Sequence, residues 1–175
     1  MTNKDVRSLE YVISPLGKKH NKSTFSCGVE VLDLYLKTQA SQDIKKNVAM
    51  AYVISQKNSE QVIGYYTLSS MSIFTGDLPV EYIKKLPRYP TLPGIRLGRL
   101  AVDEYFQGKK TGLYLLMDAI KRSLAISKQI GVMAMIVDAK DEKAAAFYKQ
   151  YGFIALLDNR HKLFLPFSTI KHLSL

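Results

Sequence analysis

The turn Gln107-Gly108-Lys109-Lys110-Thr111-Gly112 is where residue types and spacing first suggest chemistry. It lies between the strand-like run Leu97-Gly98-Arg99-Leu100-Ala101-Val102-Asp103 and a stretch of helical periodicity from Leu113 to Ser127. The first turn of a helix has unpaired N–H groups and the positive end of the helix dipole. A pyrophosphate placed there satisfies donors that water would otherwise take, and glycine lets the backbone come close. Taken alone, the turn also reads as an ordinary βα connection with two lysines in solvent. It is not a Walker A loop: Lys110-Thr111 could be its Lys-Thr pair, but Lys109 fills the required glycine position and Glu104 the earlier one. Nucleotide hydrolysis is therefore disfavoured.

Charge supplies the second clue. The 25 Lys and Arg against 15 Asp and Glu give a formal net charge of +10. That excess reads either as a solubilising surface or as attraction to the phosphates of a cofactor, a nucleic acid, or both. The single cysteine, Cys27, excludes an intrachain disulfide, and His20, His161 and His172 have no metal-ligand spacing. At 175 residues, 47% hydrophobic and 23% charged, the chain fits one globular domain, residues 1–175, with a real core. No apolar stretch approaches the roughly 20 residues needed to cross a bilayer, and the opening residues lack the apolar segment of a signal peptide. A cytoplasmic protein is the expectation.

The elements that must position the turn follow from periodicity. A short strand is expected over Leu9 to Ser14, followed by an exposed basic loop, Lys18 to Lys22. Val29, Leu32, Leu36 and Ala40 recur at three and four residues and predict an amphipathic helix from Val29 to about Asn47. Val48 to Ser55 and Val62 to Ser70 read as two antiparallel strands, and Val80 to Leu86 as a short helical piece. Pro87, Pro90 and Pro93 predict an irregular loop from Pro87 to Gly94, with a strand from Ile95 to Asp103 after it. Val132 to Val137 is apolar enough to be buried on both faces. Asp141 is a plausible N-cap of a helix whose inward stripe is Ala145, Tyr148 and Tyr151 or Ala144, Phe147 and Tyr148, ended by Gly152. Phe153 to Leu157 and Lys162 to Leu165 then pair as the last strands. The order β-α-ββ-(α)-β-α-β-α-ββ is mixed α/β, a central mixed sheet of about six to seven strands flanked by helices.

These residues resemble the GCN5-related N-acetyltransferases (GNAT), whose phosphate loop follows Gln/Arg-x-x-Gly-x-Gly/Ala between the fourth strand and its helix. The family's other signature, Asn/Asp-x-x-Ala-x-x-Phe-Tyr-x-x-x-Gly-Phe, is matched by DEKAAAFYKQYGF from Asp141 to Phe153. More narrowly, FSCGVEVLDLYLKTQASQD, VIGYYTLSS, LPRYPTLPGIRLGRLAVDEYFQGKKTG and VDAKDEKAAAFYKQYGF together resemble the acetyltransferase toxins of type II toxin-antitoxin systems. The resemblance implies the GNAT fold and acetyl-CoA as cofactor. It implies that Leu100, Ala101 and Val102 receive the pantetheine arm, with an amide there as oxyanion stabiliser. It implies that Gln107, Gly108, Lys109, Lys110 and Gly112 form the pyrophosphate loop, that Phe147 lies beside the thioester, and that Tyr148 is the general acid. Lys110 stands where the family has the loop's middle glycine. It keeps the backbone N–H and adds charge, but its Cβ disfavours a positive φ, so weakened binding is expected.

The implied reaction is direct transfer of acetyl from a thioester to an amine. A phenol of ordinary pKa near ~10 stays protonated at neutral pH and can donate to a leaving thiolate near ~8.5, as Tyr148 would. Tyr151 reads as packing. No carboxylate or histidine stands out as a base. A lysine amine near ~10.4 would need one, whereas an α-amine near ~7.7 is already substantially neutral. The α-amino group of an aminoacyl-tRNA suits this chemistry, the toxin resemblance points the same way, and its acetylation blocks translation. Arg88, Arg96 and Arg99 are then candidate tRNA contacts, binding a polyanion through salt-sensitive phosphate contacts. Lys84, Lys85, Lys18, Lys19 and Lys22 are further candidates, and a structural ion pair is an alternative role for Arg99. The resemblance further implies a ribbon-helix-helix antitoxin and a possible homodimer. Two other readings stay open: an acetyltransferase acting on a small amine or a protein N-terminus, and a catalytically weak partner of a DNA-binding antitoxin.

Overall fold

The structure, a computed structural model, describes residues 10–170; Leu9, the expected start of the first strand, and His172 lie outside them. Seven strands are formed: β1 (Tyr11–Pro15), β2 (Met50–Gln56), β3 (Gly64–Phe74), β4 (Thr91–Val102), β5 (Ala134–Asp138), β6 (Ile154–Leu156) and β7 (Asn159–Pro166). They make one sheet in the order β1-β2-β3-β4-β5-β7-β6. β4 and β5 are parallel, whereas β1 with β2, β5 with β7, and β6 with β7 are antiparallel, so the sheet is mixed as expected. Its helices are α1 (Glu30–Leu34), α2 (Ala40–Lys45), α3 (Val80–Ile83), α4 (Thr111–Ser127) and α5 (Glu142–Gln150). β5, buried at Ala134, Met135, Ile136 and Val137, is an interior strand, which is why its apolar run shows no alternation.

Two compact units share these elements. The first comprises the described residues up to Tyr66 together with Leu100–Leu115. Its core is built from Phe25, Tyr35, Leu36, Ala40, Val53, Val62, Tyr65 and Ala101. The second comprises Thr67–Arg99 and the described residues from Leu116 to Ile170. There Ile73, Leu78, Leu92, Ala134, Ile136, Leu156 and Phe164 pack together. Gly94 is what allows that core to close, since a Cβ there would meet Ile73 Cδ1 at 2.5 Å and the Ala134 carbonyl at 3.3 Å.

Four local expectations are corrected. The helix expected from Val29 to Asn47 is broken by a π-helical segment, Tyr35–Gln39, between α1 and α2. Asp43 ties that break, accepting from the Tyr35 hydroxyl at 2.8 Å and the Gln39 amide at 2.9 Å. The proline segment is not irregular to its end, because β4 already begins at Thr91 and includes Pro93. The Pro93 carbonyl accepts from Met133 N at 2.9 Å just before β5 begins, so the N–H that proline lacks falls outside the ladder. Asp103, expected as the end of that strand, lies past it. Finally, the loop Lys18 to Lys22 is not exposed throughout: His20 is buried, its Nδ1 accepting from Gly17 N at 2.9 Å. Burial first, and then the charge of Lys19, lowers the His20 pKa, outweighing the backbone hydrogen bond at Gly17 and the charge of Glu60, which raise it.

Candidate active site

In the first unit, the chain leaving β4 is pinned by Asp103. This carboxylate is buried and accepts from Ser26 N at 3.1 Å and Tyr105 N at 3.0 Å, while its own N–H donates to Ile63 O at 2.9 Å. The 3-10 turn Glu104–Phe106 follows, and Glu104 N donates to Ser26 O at 2.9 Å. Asp103 was not singled out from the sequence. The signal was an aspartate directly ahead of a turn, the position from which its carboxylate can take up local backbone N–H groups.

The turn Gln107–Lys110 closes against that frame. Gln107 Nε2 donates to both Cys27 O, at 3.0 Å, and Val102 O, at 2.9 Å, so its amide hydrogens are spent on the protein's own backbone. The buried Thr111 hydroxyl donates to Phe106 O at 3.1 Å, and the Lys109 ammonium sits 5.5 Å from the centre of the Phe106 ring. Two residues take positive φ: Gly108 at 75° and Lys110 at 63°. The loop therefore demands at Lys110 the backbone that a glycine would adopt, and the lysine adopts it. The part of the expected weakening that rested on an inaccessible φ does not apply, since the strain is already present in the folded chain. Tyr114 N donates to Lys110 O at 3.1 Å, so the N–H groups of Thr111, Gly112 and Leu113 precede the first intrahelical bond of α4. A Cβ added at Gly108 would meet nothing within 4 Å, which leaves open space against the loop. At Gly112 it would lie 3.8 Å from Val102 and 3.9 Å from Leu100, placing the first turn of α4 over β4.

Leu100 and Val102 are half-buried and Ala101 is buried. The β4–β5 register covers only Ile95, Arg96 and Leu97, so β4 continues from Gly98 to Val102 beyond its last β5 partner. Backbone groups on that edge are outside the β4–β5 ladder. An open donor edge, unpaired first-turn N–H groups and free space over Gly108 together suit the arm and pyrophosphate of acetyl-CoA.

The second unit carries α5. Its N-cap is Asp141 as expected, whose carboxylate accepts from Ala144 N at 2.8 Å. Glu142 in the first turn accepts from Arg160 Nε at 2.9 Å and lies 3.0 Å from His161 Nε2; the His161 hydrogen bond first, then Arg160, holds its pKa down. Ala145 and Tyr148 are buried and Ala144, Phe147 and Tyr151 partly so, which merges the two alternative stripes. The rings interlock edge to face, with centroids 5.2 Å apart for Phe147 and Tyr148, 5.3 Å for Phe147 and Tyr151, and 5.4 Å for Tyr148 and Phe153. Tyr151 thus packs, as read from the sequence. The Tyr148 hydroxyl makes no hydrogen bond among the described residues. Burial pushes its pKa well above the ordinary 10.0, so the phenol is a fully protonated donor with no internal acceptor.

The three arginines are not brought onto one face. Arg96 and Arg99 lie three residues apart on β4, which directs them to opposite sides, and Arg88 lies in the segment before it. Arg96 and Arg88 are exposed; Arg99 is half-buried and engaged in contacts of its own. Among the described residues no group of three His, Cys, Asp or Glu could hold a metal ion, and no helix is long and apolar enough to cross a membrane.

Known proteins match this architecture along nearly its whole length. The probable toxin TacT of Sinorhizobium fredii is 29% identical over 170 residues, 93% of this chain and 94% of the relative. A tRNA-acetylating toxin of Mycobacterium tuberculosis is 34% identical over 144 residues, 82% of this chain and 84% of the relative. The structure of AtaT complexed with acetyl-methionyl-tRNAfMet superimposes with a TM-score of 0.86 at 33% identity, covering 92% of this chain and 97% of that one. AtaTR bound with AcCoA gives 0.80 at 34% identity over 91% and 95%, and the KacTA–DNA complex 0.77 at 30% over 92% and 96%. The family described as "Acetyltransferase (GNAT) domain" matches residues 28–171, and this chain belongs to it.

Proposed function

We propose that the protein is an acetyl-CoA-dependent N-acetyltransferase toxin that acetylates the α-amino group of aminoacyl-tRNA and so blocks translation. The observation that carries this reading is the near full-length match to a tRNA-acetylating toxin and to AtaT in complex with acetyl-methionyl-tRNAfMet. Residues 1–175 act in it as one cytoplasmic N-acetyltransferase domain. By analogy with the AtaT–AtaR and KacTA–DNA assemblies, an antitoxin is its partner. We assign that antitoxin to the ribbon-helix-helix type, and a homodimer to the toxin.

Bound acetyl-CoA supplies an activated acetyl thioester. In this proposal the backbone N–H groups of the loop Gln107–Lys110 and of Gly112 hold the pyrophosphate, with Lys109 and Lys110 adding charge. A β4 amide among Leu100, Ala101 and Val102 donates to the thioester oxygen as negative charge develops there. Phe147 excludes water beside the reacting carbon. Tyr148 gives its proton to the departing sulfur; the burial that raises the phenol also disfavours a thiolate beside it, so the transfer gains as the sulfur becomes anionic. The residues with shifted acid–base behaviour offer no base for the amine, since His20 is tied to Gly17 and Glu142 to Arg160 and His161. An α-amine, substantially neutral without help, is the acceptor that fits. Arg88 and Arg96 contribute to holding the tRNA phosphates, and Arg99 does so from its half-buried position.

Transfer of labelled acetyl to bulk aminoacylated tRNA tests the reading, with deacylated tRNA, a small primary amine and Tyr148→Phe in parallel. Label only on charged tRNA is the expected result. Label on the small amine or on a protein N-terminus alone overturns the acceptor, and no label from a preparation that binds acetyl-CoA overturns the enzyme assignment.

A further inference from the structure

Tyr105 is 86% exposed, more than any other large hydrophobic side chain among the described residues. A ring left so far out of the core contributes little to folding, and one exposed ring is ordinary on a protein surface; what distinguishes Tyr105 is that the turn it opens also carries the exposed Lys109 and Lys110. The backbone beneath the ring is held at three positions. Tyr105 N donates to the buried Asp103 carboxylate at 3.0 Å, Phe106 N donates to Asp103 O at 2.8 Å, and Glu104 N is fixed on Ser26 O. Four and five residues on stand the exposed Lys109 and Lys110, the first with its ammonium over the Phe106 ring and the second in a left-handed backbone conformation. An exposed aromatic ring with cations carried by the same short turn is the combination by which proteins hold an unpaired base and its phosphate without reading sequence.

We infer that Tyr105, with Lys109 and Lys110, is a nucleobase-stacking platform: the ring takes the face of a base and the lysines take the adjoining phosphate. The inference rests on the proposed function, whose two substrates are the two sources of such a base. One is the adenine of acetyl-CoA, the other an unpaired base of the acceptor tRNA. Stacking on an aromatic side chain orders a ligand end remote from the chemistry, so the effect falls on binding rather than on the transfer step.

The chain contains no tryptophan, so Tyr105→Trp introduces a single indole that keeps the stacking face and reports on it. Its emission is followed on titration with coenzyme A, with pantetheine, which lacks the adenine, and with tRNA. Quenching by coenzyme A and not by pantetheine assigns the platform to the adenine. Quenching by tRNA assigns it to an RNA base. No quenching by either ligand overturns it. In the otherwise unchanged chain, Tyr105→Ala is expected to weaken affinity for the assigned ligand about fivefold or more, with Tyr105→Phe near the parent. Equal affinities of Tyr105→Ala and the parent for acetyl-CoA and for tRNA overturn the inference. Acetyl transfer to aminoacyl-tRNA in the same parent preparation separates the two failures. Transfer with no Tyr105 effect sinks the platform alone, whereas coenzyme A quenching without transfer sinks the acceptor assignment and leaves the platform standing.

Discussion

The loop Gln107–Lys110 and helix α5 carry the two halves of the proposed chemistry, and they are built by opposite means. In the loop the side chains are turned inward on the protein's own backbone: Gln107 on Cys27 and Val102, Thr111 on Phe106, and Asp103 on Ser26 and Tyr105. What the loop presents outward is main chain, bent by positive φ at Gly108 and Lys110, with the exposed Lys109 and Lys110 ammonium groups adding charge beside it. In α5 the main chain is spent on the helix, and what remains is one phenol, buried among rings and hydrogen-bonded to none of the described residues. Backbone serves as ligand in the first region and a single side-chain atom serves as reagent in the second. Substitutions should therefore act through folding in the loop and through chemistry in α5.

The largest effect is expected from Tyr148→Phe, which deletes the reagent and leaves the packing. Turnover should fall by about 10²- to 10⁴-fold, the usual contribution of a positioned general acid. Acetyl-CoA affinity and urea midpoint should barely move, because the hydroxyl has no partner to lose among the described residues. The same substitution has a pH signature. Burial raises the Tyr148 pKa above 10.0, so above that pH the unfolded chain releases the phenolic proton while the folded chain keeps it. The stability this group contributes is intact below pH 10.0 and declines as the pH rises beyond it. Unfolding measured on either side of that pH should show Tyr148→Phe gaining on the parent only on the alkaline side. Parallel curves would mean that the phenol is not buried as described.

Next in size is Gln107→Leu, which breaks the inward-facing half of the comparison. Losing both donors removes two hydrogen bonds at a partly exposed site, where water can reach the freed carbonyls, at a cost of roughly 0.5–1.5 kcal/mol for each in chemical denaturation. Acetyl-CoA affinity should fall as well, because the loop loses its tie to Cys27 and Val102. If Gln107 instead served as a phosphate ligand, affinity would fall with stability unchanged, and the division of labour drawn above would be wrong.

How much of this was legible in the sequence follows the range of each interaction. The Asp141 cap and the inward face of Tyr148 depend on residues within one or two helical turns, and periodicity alone reads them. The apolar run of β5 announces its own burial. The glycine turn and its helix are likewise local. Gln107 meets Cys27 across 80 residues, and no short-range pattern carries that pairing. The π-helical break depends on Tyr35 and Gln39 both reaching Asp43, which a 3.6-residue period does not encode. Pro93 looked like a strand breaker because the rule counts the missing N–H without knowing which side of the strand has no neighbour. His20 looked exposed for its lysine neighbours, yet a hydrogen bond to the Gly17 amide and its burial govern it.

The smallest effect, and the sharpest test of a loop that works through its backbone, is Lys110→Gly. A non-glycine residue in left-handed conformation costs about 1–2 kcal/mol. Glycine removes that cost but gives roughly 0.4–1 kcal/mol back through the freer unfolded chain. A net gain in stability between zero and about 1.6 kcal/mol is expected, at about 2–4 °C in Tm for each kcal/mol in a chain of this size. Acetyl-CoA binding should separate the two properties of the lysine. The N–H it presents at φ 63° is the one glycine would present, so at high salt the affinities should coincide. At low salt the parent should bind more tightly, because only it has the ammonium and only there is the attraction unscreened. Tighter binding by Lys110→Gly at every salt concentration would mean instead that the lysine Cβ crowds the ligand, and that the family's glycine is preferred for space rather than for φ.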